Sequence, residues 1–174
     1  HFLQRLGISR TQWIDPIVPF KELRDRFLEA KADWIIATPT VLRRLATAVA
    51  DAGGDFPPLR GIYCQGELLD MQTRDLSRRV FGIMPVDVYT LTEVGYVAWQ
   101  CERHERLHIN ADTHLVEVLR NGVAAIPGVL GRVVVTDLCN RTMPFLRYET
   151  GDLAISGKDP CACGRGFPCF TSME

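Results

Sequence analysis

The sequence predicts an α/β protein, with a parallel βαβ subdomain over residues 1–98 and a small β-rich, barrel-like subdomain over residues 99–174. Two observations support this. In the first part, short apolar runs alternate with helically spaced patterns at βαβ intervals, which makes a parallel sheet the economical arrangement. From Val97 onward the signals are short alternating strands and turns instead.

Residues 1–32 read as helical and partly peripheral, with Phe20, Leu23, Phe27 and Leu28 spaced for a helix after Pro19. Asp33 to Ala37 is a short apolar run suited to a buried parallel strand. Thr38 is placed to cap a helix and Pro39 fits its first turn. Val41, Leu42, Leu45 and Val49 then form one face, and Gly53-Gly54 stops it. Gly61 to Cys64 reads as a strand, Leu69 to Phe81 as a helix with Arg74, Arg78 and Arg79 solvated, and Pro85 to Tyr89 as a third strand. Beyond these, His114 to Leu119 alternates, Asn121-Gly122 is a hairpin turn, and Gly131 to Thr136 is another strand. Met143 to Arg147 and Leu153 to Ile155 read as two further short strands.

Composition narrows the function. The chain is 47% hydrophobic and 24% charged with a net charge of −1, which argues against a nucleic-acid binder relying on a basic field. Lysine is scarce, occurring only at Lys21, Lys31 and Lys158. No apolar run reaches the roughly 18 residues of a membrane span, and no signal peptide is evident. The opening His1-Phe2-Leu3-Gln4 carries no initiator methionine, so the expectation is a fragment. Cys64 and Cys139 lie in or near apolar runs, where a buried free thiol is common. Nothing indicates secretion, and the expected compartment is a reducing cytoplasm.

Two acidic stations point to chemistry. Tyr89-Thr90-Leu91-Thr92-Glu93 and Arg147-Tyr148-Glu149-Thr150-Gly151-Asp152 each set a carboxylate just beyond a predicted strand, where loops of α/β proteins meet ligands. Glu93 suits Mg²⁺, a hard cation that prefers oxygen, the Thr92 hydroxyl suits a phosphate oxygen, and Tyr89 offers a flat face for a base. Asp152, after a Thr-Gly turn, can accept from two ribose hydroxyls. Each segment alone also fits a plain surface turn. Gln65-Gly66-Glu67 adds a glycine that lets backbone approach a planar ligand, although Glu67 equally fits a solvated first helical turn.

In their order, these segments resemble the adenylate-forming (acyl-CoA synthetase-like) superfamily, in its phenylacetate–coenzyme A ligase branch with coenzyme F390 synthetase-like and capsule-biosynthesis relatives. Further carriers are Leu107-His108-Ile109-Asn110, Gly131 to Thr136, Met143 to Asp152 and Cys163-Gly164-Arg165, and the resemblance spans nearly all of 33–174. It implies a portion of an enzyme's large domain. It implies a ligase that activates a carboxylic acid, aryl or arylacetic, with Mg·ATP and transfers the acyl group to a thiol such as coenzyme A. Tyr89 would stack on adenine near Gly66 and Glu67, and Thr92 would meet the α-phosphate. Glu93 would hold magnesium and Asp152 the ribose of ATP or AMP. Thr90 replaces the family's usual glycine beside the acyl pocket. No Ser/Thr/Gly-rich phosphate loop is present, so the piece alone is expected to be inactive and to need the remaining portions of its enzyme. Its partners would be small molecules, with no nucleic acid or membrane, and a homodimer is left open.

Cys101-x-x-His104 and Cys161-x-Cys163 supply four ligands of the kind that close a structural zinc site, with His108 competing with His104 and Cys169 competing for a place. Similar elements in relatives of the branch imply a metal tying loops of the β-rich part. Two other readings stand beside the ligase. One is a zinc-stabilised, non-catalytic interaction module of the same fold. The other is a redox protein using Cys161 and Cys163, disfavoured because CxC is not CxxC.

Overall fold

The computed structural model describes residues 11–52 and 58–174, so Gly53-Gly54 and residues 1–10 of the expected first helix lie outside the described residues. The expected helical stretch is shorter than read, since residues 11–19 are irregular and turn. Helix α1 (Phe20–Ala30) begins where Pro19 takes the cap position, buries Leu23 and Phe27, and ends as Lys31 turns left-handed at φ 47°. Strand β1 (Trp34–Ala37) follows. Helix α2 (Pro39–Ala52) starts under Thr38, whose hydroxyl accepts from Val41 N at 3.4 Å. After β2 (Gly61–Gln65), Asp70 caps α3 (Met71–Phe81) by accepting from Thr73 N at 2.8 Å, and Gly82 ends it at φ 71°. Both helices pack on one face of the strands, around Leu42, Leu45, Ile62, Cys64 and Phe81.

β1, β2 and β3 (Val86–Leu91) are parallel. The chain then turns back through Thr92–Val94 into β4 (Gly95–Gln100), and every later pairing is antiparallel. The remaining strands are β5 (Leu107–Ile109), β6 (His114–Arg120), β7 (Val123–Ala124), β8 (Leu130–Asp137), β9 (Tyr148–Ser156) and β10 (Cys169–Met173). They form one sheet in the order β1-β2-β3-β4-β5-β10-β9-β8-β6-β7. The α/β class therefore stands, with the parallel and antiparallel strands joined edge to edge. Asn121 and Gly122 make the β6–β7 turn with φ of 53° and 81°, as an Asn-Gly pair does in a two-residue hairpin.

Three local readings change. Met143 to Arg147 is loop, and side chains take the amides at both its ends: Asn140 Oδ1 accepts from Met143 N and Thr136 Oγ1 from Arg147 N, while just before it Asp137 Oδ1 accepts from Cys139 N and Asn140 N. Cys139 is consequently exposed there. Thr150-Gly151-Asp152 lies inside β9 as a bulge, where Arg132 pairs with Leu153 but Val134 pairs with Glu149, and Gly151 takes φ 88°. Arg74 is buried, 8% exposed, because its guanidinium bonds Pro85 O and Gln100 Oε1 and faces Asp87 at 3.7 Å.

The sheet curls. β3 and β9 are separated by four strand-to-strand steps, which in a flat sheet would set them about 19 Å apart. Yet side chains of the two strands touch. The space enclosed by the curl is filled by Val97, Ala98, Ile109, Val133, Val135, Ala154 and Phe170.

Candidate functional site

The two acidic stations meet across this curl. Tyr89 Oη donates to Asp152 Oδ2 at 2.6 Å, and Tyr148 Oη donates to Glu93 Oε1 at 2.8 Å. Each station's tyrosine therefore holds the other station's acid. Tyr89 is set by β3 and by edge contact with Phe170 of β10, ring centres 6.3 Å apart. Asp152 is set by the β9 bulge, where its own amide donates to Thr150 Oγ1 at 3.1 Å and the Thr150 hydroxyl donates to Val133 O at 3.3 Å. Burial, followed by the Asp152 bond, pushes the Tyr89 phenol well above its ordinary range, so it stays a neutral donor. Glu93 and Thr92 are exposed at the β3–β4 turn, and Thr90 is half-buried in β3.

Gly66 turns at φ 81° just after β2. Glu67 Oε2 then accepts from Thr40 N at 3.0 Å and from Thr40 Oγ1 at 2.6 Å. The bond from the Thr40 hydroxyl, aided by its amide, lowers the Glu67 carboxyl below its usual range. Glu67 thus ties the loop after β2 to the first turn of α2.

The soft donors gather on the β4–β5–β10 side. The donor atoms of Cys101, His108, Cys161 and Cys163 all lie within 4.8 Å of one another. Cys101 Sγ and Cys161 Sγ are 3.8 Å apart, and Cys163 Sγ is 3.4 Å from His108 Nε2. A tetrahedral zinc ion, with Zn–S near 2.3 Å and Zn–N near 2.05 Å, has S···S edges of about 3.8 Å and S···N edges of about 3.5 Å. The donors present therefore fit such an ion. Burial raises the Cys163 thiol, but hydrogen bonds from Arg165 and from the neighbouring thiols outweigh it and bring it to about 7. Burial, with the Arg165 charge next, lowers the His108 imidazole, favouring the neutral form that ligates metal.

His104 does not join this group. It sits at φ 54° in a turn closed by its amide on Cys101 O at 3.0 Å, and its ring lies toward Pro85 and Arg74. His108 takes the place because β4 pairs Trp99 with His108 and β10 pairs His108 with Cys169. Arg165 bonds Glu102 at 2.7 Å and lies 5.6 Å from the Trp99 ring centre. Tyr148 and the Arg74–Asp87–Gln100 network were not singled out from sequence. Tyr148 stood within a quoted motif, whereas Arg74 gave no signal distinguishing it from Arg78 and Arg79.

A cavity of about 690 Å³ opens on the other face of β3, walled by Trp34, Tyr63, Val88, Tyr96, Trp99 and Asn110. It does not contain Tyr89, Glu93 or Asp152.

No protein-family profile matches the chain. Phenylacetate–coenzyme A ligase of Thermus thermophilus is 36% identical to it over 89 residues, 48% of this chain and 20% of that protein. The chain thus spans about a fifth of the curated relative it matches. 2-Hydroxyisobutyryl-CoA ligase, solved in complex with 2-HIB-AMP and CoA, superposes with a TM-score of 0.77 at 21% identity, over 87% of this chain and 35% of that one. The chain is thus similar in sequence to a phenylacetate–coenzyme A ligase and shares the fold of 2-hydroxyisobutyryl-CoA ligase. A long-chain-fatty-acid-CoA ligase of Archaeoglobus fulgidus shares the fold at TM-score 0.61 and 14% identity, over 88% of this chain and 36% of that one. The mixed sheet described above is the fold shared with these solved CoA ligases.

Proposed function

We propose that this chain is the nucleotide-gripping portion of an AMP-forming acid–thiol ligase. The observation that carries the reading is the crossed pair, Tyr89 to Asp152 and Tyr148 to Glu93, which brings two tyrosines and two carboxylates from β3, its following turn and β9 together across the curl. In this reading Tyr89 stacks on adenine beside the Gly66 turn, and Glu67 holds that turn against α2. Asp152 takes the ribose hydroxyls. Thr92 donates to an α-phosphate oxygen. Glu93, an exposed carboxylate bonded by a phenolic oxygen, offers the hard donors that Mg²⁺ prefers. Bound there, the cation supplies charge neutralisation at phosphorus.

The reaction proposed for the whole enzyme has two steps. The substrate carboxylate oxygen attacks the α-phosphorus of ATP, the bond to the β-phosphate oxygen breaks, and pyrophosphate leaves. The sulfur of coenzyme A then attacks the acyl carbon, giving the thioester, and AMP leaves with the electron pair. This chain's residues position the nucleotide and balance its charge. An aryl or arylacetic acid is the proposed substrate, supported by the phenylacetate named for the Thermus relative, with Thr90 narrowing the acyl side. Zinc is the proposed structural ion, on Cys101, His108, Cys161 and Cys163, in a cytoplasmic protein divided near residue 98. Turnover requires the portions of the enzyme that this chain does not cover.

AMP titration followed by NMR tests the reading. The expected result is saturable shifts at millimolar AMP or below, abolished in Asp152→Ala. A folded chain that gives no shifts would instead be the non-catalytic, zinc-stabilised module.

A further inference from the structure

We infer that Cys169 is a positioning residue for the metal centre and not one of its ligands: it fixes His108 in the tautomer that presents Nε2 to the ion. The inference rests on the zinc reading above and deepens it. β10 pairs with β5 so that Cys169 lies directly opposite His108. The imidazole is fully buried, and its two nitrogens face different sulfurs. Nε2 is 3.4 Å from Cys163 Sγ, inside the four-donor group, whereas Nδ1 is 3.3 Å from Cys169 Sγ, outside it.

The hydrogen-bond roles follow from what each atom can do. Cys169 Sγ also lies 3.3 Å from Phe167 O, and a carbonyl oxygen only accepts, so the thiol proton goes to Phe167. The sulfur is left with lone pairs toward Nδ1, and that nitrogen must be the one carrying hydrogen. Nε2 then has a free lone pair directed at the cluster. A metal-bound histidine is ordinarily held this way, by an acceptor on its second nitrogen. Here the acceptor is a neutral thiol. With Cys169 protonated, three thiolates and a neutral imidazole around a divalent ion leave one net negative charge. The Arg165 guanidinium, hydrogen-bonded to Cys163, lies beside it. A fourth thiolate would double that charge.

The test uses the full chain, loaded with Zn²⁺ or Co²⁺. Cys169→Ser keeps a group that can donate to Phe167 O and accept from Nδ1, and should bind Zn²⁺ within about threefold of the wild type by chelator competition. Cys169→Ala removes the acceptor and should bind 10- to 100-fold more weakly. Both variants should keep the Co²⁺ absorption of a site with three thiolates and one nitrogen. In the metal-free wild type, ¹⁵N NMR should show His108 protonated at Nδ1. Loss of a thiolate–Co²⁺ band in either variant would make Cys169 a ligand and overturn the inference, as would an Nε2–H tautomer or undiminished affinity in Cys169→Ala. Failure of the wild type to bind either metal would overturn the metal reading itself, while the tautomer measurement reads Cys169 independently.

Discussion

Tyr89 and Asp152 hold one another across 2.6 Å although three strands lie between theirs in the sheet. Replacing Tyr89 by Phe keeps the ring against Phe170 but leaves a half-buried carboxylate without its donor. Unfolding free energy should drop by about 1–2 kcal/mol in urea titrations. A Tyr89→Phe protein as stable as the wild type would show the bond to be energetically idle.

With Mg²⁺ on Glu93 as proposed, the second pair distinguishes metal binding from nucleotide binding. Tyr148→Phe releases an exposed carboxylate, so stability should change by no more than about 0.5 kcal/mol. Affinity for AMP without metal should be unchanged, while the gain in ATP affinity on adding Mg²⁺ should shrink. Isothermal titration with and without Mg²⁺ measures both. A uniform loss under the two conditions would place Tyr148 at the nucleotide instead of at Glu93.

Gly131 sits where β8 passes close to β6, and a Cβ there would lie 2.6 Å from the Leu119 carbonyl oxygen. Backbone cannot swing aside as a side-chain end can. Gly131→Ala should therefore cost about 1–3 kcal/mol, read as a lower urea midpoint with an unchanged slope.

Glu67 predicts a pH dependence. Its folded-state pKa is depressed below the ordinary 4.5, chiefly by Thr40. The carboxylate's contribution is therefore fully present above 4.5 and is lost as pH falls through the folded value. Urea midpoints should decline less steeply below pH 4.5 in Glu67→Gln than in the wild type, and parallel declines would mean that the bond to Thr40 does not matter.

Stripping metal should lower thermal stability. An ion held at about 1,000 times its Kd contributes about 4 kcal/mol by mass action. A chelator should therefore lower Tm, and stoichiometric Zn²⁺, but not Mg²⁺, should restore it.

Local patterns were readable wherever the neighbours in sequence decide the outcome. Thr38-Pro39 before α2 and Asn121-Gly122 at the hairpin each act through residues within one turn. The acids were readable as candidates because their motifs are contiguous. What escaped depends on register and curvature. His108 outranks His104 only because three strands align Trp99, His108 and Cys169, which spacing along the chain does not encode. Arg74 resembles its solvated neighbours on α3 until Asp87 and Gln100 come to lie beneath it. The β9 bulge looked like a turn because Thr-Gly-Asp suits both, and the pairing partner β8 decides between them.

The crossed arrangement also restricts how this polypeptide can be divided. Tyr89 and Glu93 precede residue 98, while Asp152 and Tyr148 follow it. A split-protein reporter cut there would leave each hydroxyl on one piece and its acid on the other. Neither piece would carry an intact tyrosine–acid pair, and reassembly of the two would have to rebuild both contacts together.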